Sequence, residues 1–222
     1  MGGEAVGKDE RKGARRDRNQ KAFKRTPELG YYFVVTDTQA TEANYLRGFI
    51  DLIPQSLRGK LVLKVIKTST SELLKKCLEM VAVEPQYRKP WIVFDRDQVK
   101  NFDQIIEEAE RQGVNTGWSN PCLEIWFHAY FGDMPVNSAS MQCVNVFEAE
   151  FKRHSGQKYD KADEGIYRKL LKFGNEEKAI KLAKEKHQQN KTQNSPSEML
   201  ATTTLYVLID EIKRKIKANQ KI

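Results

Sequence analysis

The sequence predicts an α/β protein, a mainly parallel sheet flanked by helices, with a helical C-terminal half. Three observations predict it. Short, continuous runs of β-branched and aromatic residues alternate with segments of helical periodicity up to about residue 143. From about residue 144 onward the pattern is helical throughout. At 222 residues the chain is long enough to bury a sizeable core. Strands separated by helices of about 10–15 residues are joined by crossovers, and crossovers make neighbouring strands parallel.

Taken in order, Pro27 and Gly30 punctuate the chain before Tyr31–Thr36 (YYFVVT), a buried strand that polar Asp37-Thr38-Gln39 ends. Thr41 is placed to cap a helix carrying Tyr45, Leu46, Phe49 and Ile50, which Pro54 closes. Residues 61–66 (LVLKVI) read as the second strand. Ser69 with Glu72 matches a capping box for a helix bearing Leu73, Leu74, Cys77, Leu78 and Val81. Residues 91–94 (WIVF) form the third strand, which ends abruptly in Asp95-Arg96-Asp97. Asn101 with Gln104 starts a helix carrying Ile105, Ile106 and Ala109 that stops before Gly113. A fourth strand, 114–118, runs into Ser119-Asn120-Pro121, where Pro121 suits a first helical turn and an apolar helix follows over 122–131. Helices are then expected over 144–153, 162–172, 176–187 and 198–218, with a polar loop at 188–197 (QQNKTQNSPS). The chain thus divides into a basic flexible arm (1–26), an α/β core (27–143) and a helical extension packed on that core (144–222).

Composition excludes several classes. No run of about 18 apolar residues exists, which excludes a membrane span on length. The N-terminal residues lack an apolar segment after their basic residues, so they are not expected to be a secretory signal. Cys77, Cys122 and Cys143 are odd in number and widely spaced, which fits neither a disulfide framework nor a zinc ribbon. A reducing, cytoplasmic location is the expectation.

Charge is concentrated at the ends. Residues 1–25 carry nine Lys/Arg against four Asp/Glu, and residues 206–222 carry five against two, so these segments account for the formal +8. Arg11, Lys12, Arg15, Arg16, Arg18, Lys24 and Arg25 in the arm, with Arg96 between the two aspartates, are candidates to neutralise nucleic-acid phosphates. A solubilising tail is the other reading of the arm.

Ligands of parallel α/β folds bind at the C-terminal ends of the strands, so the polar residues there are the catalytic candidates. Asp95 and Asp97 lie two apart, and in extended backbone their side chains share a face. Two such carboxylates repel one another unless a cation or a raised pKa relieves them, and oxygen ligands of this kind suit Mg²⁺ or Mn²⁺. A turn in which the acids cap the next helix is the alternative. Asp37 at the end of the first strand is placed to complete a metal site. Glu42 follows in a first helical turn, where it also complements the helix dipole. Glu124 sits in an otherwise apolar segment, where an ionised carboxylate is costly unless it is paired or metal-bound. The other reading leaves it on a solvent-facing stripe. His128 follows Glu124 at i+4, a spacing for orienting a base or for a plain helix pair. No dinucleotide fingerprint, Walker loop or nucleophile elbow is present.

The residues Thr41-Glu42-Ala43-Asn44-Tyr45, Val93-Phe94-Asp95-Arg96-Asp97 and Ser119-Asn120-Pro121-Cys122-Leu123-Glu124-Ile125-Trp126 resemble the RloB/AbiL-ii-like family, with weaker matches at Tyr159-Asp160-Lys161 and Ser195-Pro196-Ser197. That family is linked to restriction-modification loci and abortive infection and has a TOPRIM-like fold. The resemblance implies a Mg²⁺-dependent endonuclease of DNA or RNA in phage defence, with Asp37, Asp95 and Asp97 as metal ligands and Glu42, Glu124 and His128 in supporting catalytic roles. It also implies a nucleic-acid partner and a partner ATPase or restriction-modification component, with no membrane. The first-strand acid departs from the family pattern: the family usually has Glu-Gly, and this chain has Asp37-Thr38. That departure motivates the other functional reading, a non-catalytic nucleic-acid- or protein-binding module on the same scaffold.

Overall fold

The computed structural model describes residues 31–36, 40–58, 61–66, 68–83, 88–97, 99–192 and 195–219. Among these, five strands form one sheet in the order β2-β1-β3-β4-β5. The strands β1 (Tyr31–Thr36), β2 (Leu61–Val65), β3 (Arg88–Asp95) and β4 (Asn115–Asn120) pair in parallel, and β5 (Thr202–Thr203) closes the edge antiparallel to β4. The helices are α1 (Thr41–Asp51), α2 (Gln55–Arg58), α3 (Thr70–Val83), α4 (Phe102–Arg111), α5 (Glu124–Ala129), α6 (Ser140–Ser155), α7 (Ile166–Phe173), α8 (Glu176–Asn190) and α9 (Leu205–Asn219). The mixed α/β class and the helical C-terminal half match the sequence expectation. No described helix is long and apolar enough to cross a membrane.

Period-two alternation along the central strands builds two cores. Phe33, Val35, Ile92 and Phe94 face α3 and α4, burying Leu73, Leu74, Cys77, Phe102, Ile105 and Ile106. Tyr32, Val34, Trp91 and Val93 face the other way, toward α1 and the later helices, in a larger core that includes Trp126, Phe127, Phe147, Phe151, Leu170, Leu205 and Ile209. The helical half therefore covers one face of the sheet. Each fully buried side chain of this size contributes about 1.5–3 kcal/mol of transfer free energy. Close packing extends to the backbone: a Cβ on Gly48 of α1 would stand 2.7 Å from Tyr167 Cβ of α7, so only glycine lets these helices touch.

Several element boundaries differ from the sequence expectation, each for a tertiary reason. The third strand begins at Arg88, before Pro90. At that level β3 pairs with β1, and Pro90 turns its carbonyl to Asn115 Nδ2 on the β4 side, where no strand pairs, so the missing N–H breaks no ladder bond. Thr41 is the first helical residue of α1 and makes no side-chain cap, Ala40 holding the capping position. The short helix α2 was not anticipated. Pro121 does not open a helix: its peptide with Asn120 is cis, its carbonyl accepts from Asp97 N–H, and α5 begins only at Glu124. The turn ahead of α7 is held by Asp160 and Asp163 side chains, which accept from Ala162 N–H and Gly165 N–H, so α7 starts at Ile166 and not near 162. Residues 198–204, expected as the start of the last helix, form instead a 3₁₀ turn (Pro196–Glu198) and β5. There Thr203 Oγ1 meets Ser119 Oγ and Thr204 Oγ1 donates to Thr116 O, so edge-strand pairing outweighs helical periodicity.

Candidate active site

The connections of the sheet locate a crevice. From β1 the chain passes through α1 to β2 on one side, and from β3 through α4 to β4 on the other, with α1 and α4 on opposite faces. The C-terminal ends of β1 and β3 flank this reversal, the position where doubly wound sheets bind their ligands. Thr36 ends β1 beside Val93, and β3 runs two residues further to Asp95. By strand alternation Asp95 lies on the face of Trp91 and Val93, toward the larger core. Thr36 Oγ1 is buried and has no hydrogen-bond partner among the described residues.

Three carboxylates from three elements meet here. Glu42 comes from the first turn of α1, Asp95 from the end of β3 and Glu124 from the first turn of α5. Glu42 is 2% exposed and Glu124 1%, while Asp95 keeps partial access to solvent. Burial, followed by the facing charges of Glu42 and then Glu124 and a hydrogen bond with the Glu42 carboxyl group, pushes Asp95 well above the usual carboxylate range; Leu123 N–H, donating to it, pulls the other way. A hydrogen bond between two carboxyl groups requires a proton on one of them, and a cation would relieve the same repulsion.

Glu124 is supported from the segment ahead of α7. Tyr159 donates its hydroxyl to Glu124 Oε1 at 2.9 Å, and Lys161 Nζ lies 3.4 Å from the same oxygen. Burial opposes the Lys161 charge, but the neighbouring Glu124 carboxylate more than offsets it and raises the amine above its ordinary pKa. Asn44 Nδ2, in the same turn of α1 as Glu42, donates to Ala162 O and ties this segment to the site. Tyr159 and Lys161 are the site residues that motif reasoning did not assign a role, although the segment containing them had been matched to the family.

Asp97 lies apart from the cluster. The strand ends at Asp95, and Asp97 enters a turn with φ +23°, a left-handed value that aspartate tolerates better than most residues. The expectation that the two aspartates share one face of an extended strand does not hold, because the backbone turns between them. Asp97 is exposed, and its Oδ1 accepts from Ser140 Oγ at 3.0 Å. Its side chain lines a cleft of about 570 Å³ with Pro121, Ser138, Ser140, Met141 and Lys161. Arg96 directs a guanidinium N–H to the Asp97 carbonyl.

His128 shares α5 with Glu124 but is enclosed in the aromatic layer. It is 2% exposed, packs edge-on against Phe147 at 5.3 Å, and bonds the Cys143 backbone. Burial lowers its pKa, against the Cys143 backbone bond and the nearby acids that raise it. Cys122 and Cys143, both free and buried, lie beside the cleft, and Cys122 Sγ points at Ser140 O. Asn120 donates to Pro196 O and Ser197 O, and Asp103 accepts from Ser197 N–H and Oγ, so these polar residues hold the 195–199 segment in place. Asp37 and the arm residues Arg11, Lys12, Arg15, Arg16, Arg18, Lys24 and Arg25 lie outside the described residues.

Among the described residues, no three His, Cys, Asp or Glu side chains are arranged to hold a metal ion. The donor chemistry of the cluster nonetheless suits a hard divalent cation: all three groups present oxygen, none is soft, and their charges repel in its absence. The family described as RloB-like protein matches residues 32–212, most of the chain. No curated protein and no solved structure matches.

Proposed function

We propose that the chain, which belongs to the RloB-like family, is a Mg²⁺-dependent endonuclease that hydrolyses phosphodiesters of DNA or RNA in phage defence. The observation that carries this reading is the meeting of Glu42, Asp95 and Glu124 at the strand ends, with Asp95 held far above its ordinary pKa. Carboxylates so placed cost stability unless the site has a cationic occupant, and perturbed groups in a crevice are candidates for function.

In this proposal Asp95 and Glu42 would hold the cation, with Asp37 and Asp97 as the further oxygen donors that a TOPRIM-like arrangement implies. A bound Mg²⁺ supplies Lewis-acid activation of water and neutralises charge developing on the phosphate. Leu123 N–H holds Asp95 in place, and Tyr159 fixes the orientation of Glu124 Oε1. Glu124 would receive a proton from the attacking water. The basic arm and Arg96 add affinity for the phosphate backbone without base preference.

The second reading, a non-catalytic nucleic-acid- or protein-binding module, is favoured by one observation: the described acids do not form a three-ligand metal group as they stand. Incubating wild type and Asp95→Ala with labelled plasmid, single-stranded DNA and cellular RNA in Mg²⁺, Mn²⁺ or EDTA separates the two. Metal-dependent products from wild type alone support the nuclease. Binding of the same pool without products from either protein supports the module.

A further inference from the structure

We propose that Lys161 is the phosphate-recognising cation of this site: it pairs with Glu124 while the cleft is empty and turns to a phosphoester oxygen when a nucleic-acid backbone lies there. The inference rests on the phosphodiester reading above and names the residue that recognises its substrate.

The geometry gives Lys161 two alternative partners. Its amine reaches Glu124 Oε1 at 3.4 Å, long for a charge-assisted hydrogen bond, while its side chain is 53% exposed. The same residue lines the cleft of about 570 Å³, the one that Asp97 also borders. Glu124 does not depend on the lysine, because Tyr159 already donates to the same oxygen at 2.9 Å. A flexible four-carbon stem makes the move to the cleft inexpensive, and an ammonium serves as a point charge for phosphate.

The surroundings suit a phosphoester. Ser140, whose hydroxyl donates to Asp97, lines the cleft where α6 begins, and the Ala139 side chain does not cap that helix, so its dipole adds to the positive potential that Lys161 sets. Met141, 77% exposed, and Val144 give the cleft an apolar side against which a sugar or base can rest. Asp97, the acid on the cleft lining, repels a phosphate that enters without a cation, and Lys161 is the lining residue whose charge attracts it. The lysine therefore orients the phosphate, and a cation held by the acids neutralises it.

The test uses the full chain and reads binding, with cleavage set aside. Labelled single-stranded DNA and RNA oligonucleotides are titrated into wild type, Lys161→Met and Lys161→Arg in Ca²⁺ over a range of salt, and a nucleoside monophosphate competes in a second arm. Mg²⁺ affinity is measured separately by calorimetry on each protein, and thermal unfolding checks that the exposed substitution leaves the fold intact. The expected result is about a tenfold loss of oligonucleotide affinity in Lys161→Met, with the salt slope reduced by about one ion and recovery in Lys161→Arg. Mg²⁺ affinity stays equal or rises, since a competing cation has been removed. Competition by the monophosphate identifies a terminal phosphate as sufficient, and its absence identifies the diester backbone. Equal oligonucleotide affinity and salt slope in wild type and Lys161→Met, parallel loss of oligonucleotide and Mg²⁺ binding, or no oligonucleotide binding by wild type overturns the proposal. Wild type that binds no Mg²⁺ while Lys161→Met still weakens oligonucleotide binding removes the metal reading and leaves this one standing.

Discussion

The two ends of the central strands carry polar clusters of opposite character. At the N-terminal end, Tyr32 of β1 and Lys89 of β3 lie side by side and both bond Glu211 of α9, at 2.6 and 2.9 Å, with Lys215 adding a third contact at 2.7 Å. One carboxylate faces two ammonium groups and a phenol. Burial works against the Glu211 charge, but Lys215, Tyr32 and Lys89 outweigh it and hold the group down at about 2. At the C-terminal end the balance reverses: three carboxylates gather, Lys161 pairs with one of them, Glu124, and Asp95 is displaced upward. The first cluster is satisfied by the protein alone. In the second, acids face acids, and the proposed cation would relieve them. A third buried acid, Glu176, sides with the first: Tyr130 and Tyr167 donate to it at 2.9 and 3.1 Å and Lys213 pairs with it.

The largest expected effect sharpens the contrast from the satisfied side. Glu176→Ala leaves two buried phenols and an ammonium without their acceptor, and is expected to lose about 3–5 kcal/mol in chemical denaturation. Asp95→Asn tests the other side. It removes one charge from a repelling cluster, so stability should hold or rise while Mg²⁺-dependent cleavage falls by at least about a hundredfold, a loss that even an outer-shell partner of a metal can cause. Destabilisation comparable to Glu176→Ala would break the comparison.

Mg²⁺ itself is the next lever. At about a hundred times its dissociation constant it should stabilise wild type by about 2.7 kcal/mol in calorimetric unfolding and leave Asp95→Asn unmoved. The smallest effect is at the opposite cluster. Glu211→Gln should cost about 1 kcal/mol at neutral pH, a figure discounted for the partial exposure of the carboxylate. The sign follows from the depressed pKa: in the folded protein Glu211 titrates below its unfolded value, so its contribution is complete above about pH 5 and lost as pH falls toward 2. Urea titrations of both proteins should therefore converge in acid; a constant gap would mean that the charge is not what stabilises this corner.

The strand and helix types were legible from local pattern, because side-chain alternation and helical periodicity report burial on one face wherever the chain is regular. YYFVVT, LVLKVI and WIVF mark the strand cores that form β1, β2 and β3, and Asp95, Glu42 and Glu124 could be singled out because each is an acid at a strand end, at a helix start or among apolar neighbours. The sequence by itself thus determined the mixed α/β class, the helical second half and the family. Tertiary structure decided what depends on distant partners. Residues 198–204 have helical periodicity, yet Ser119 and Thr116 recruit Thr203 and Thr204 to the sheet edge. Asp97 follows the D-x-D spacing, yet the backbone turns after Asp95 and sends it to Ser140, 43 positions away in the chain. Lys161 lies in a weakly matched segment, but its pairing with a carboxylate 37 positions earlier is not written in that segment. A local pattern records which side of an element is buried. Which charges end up facing one another is set only when separate elements pack.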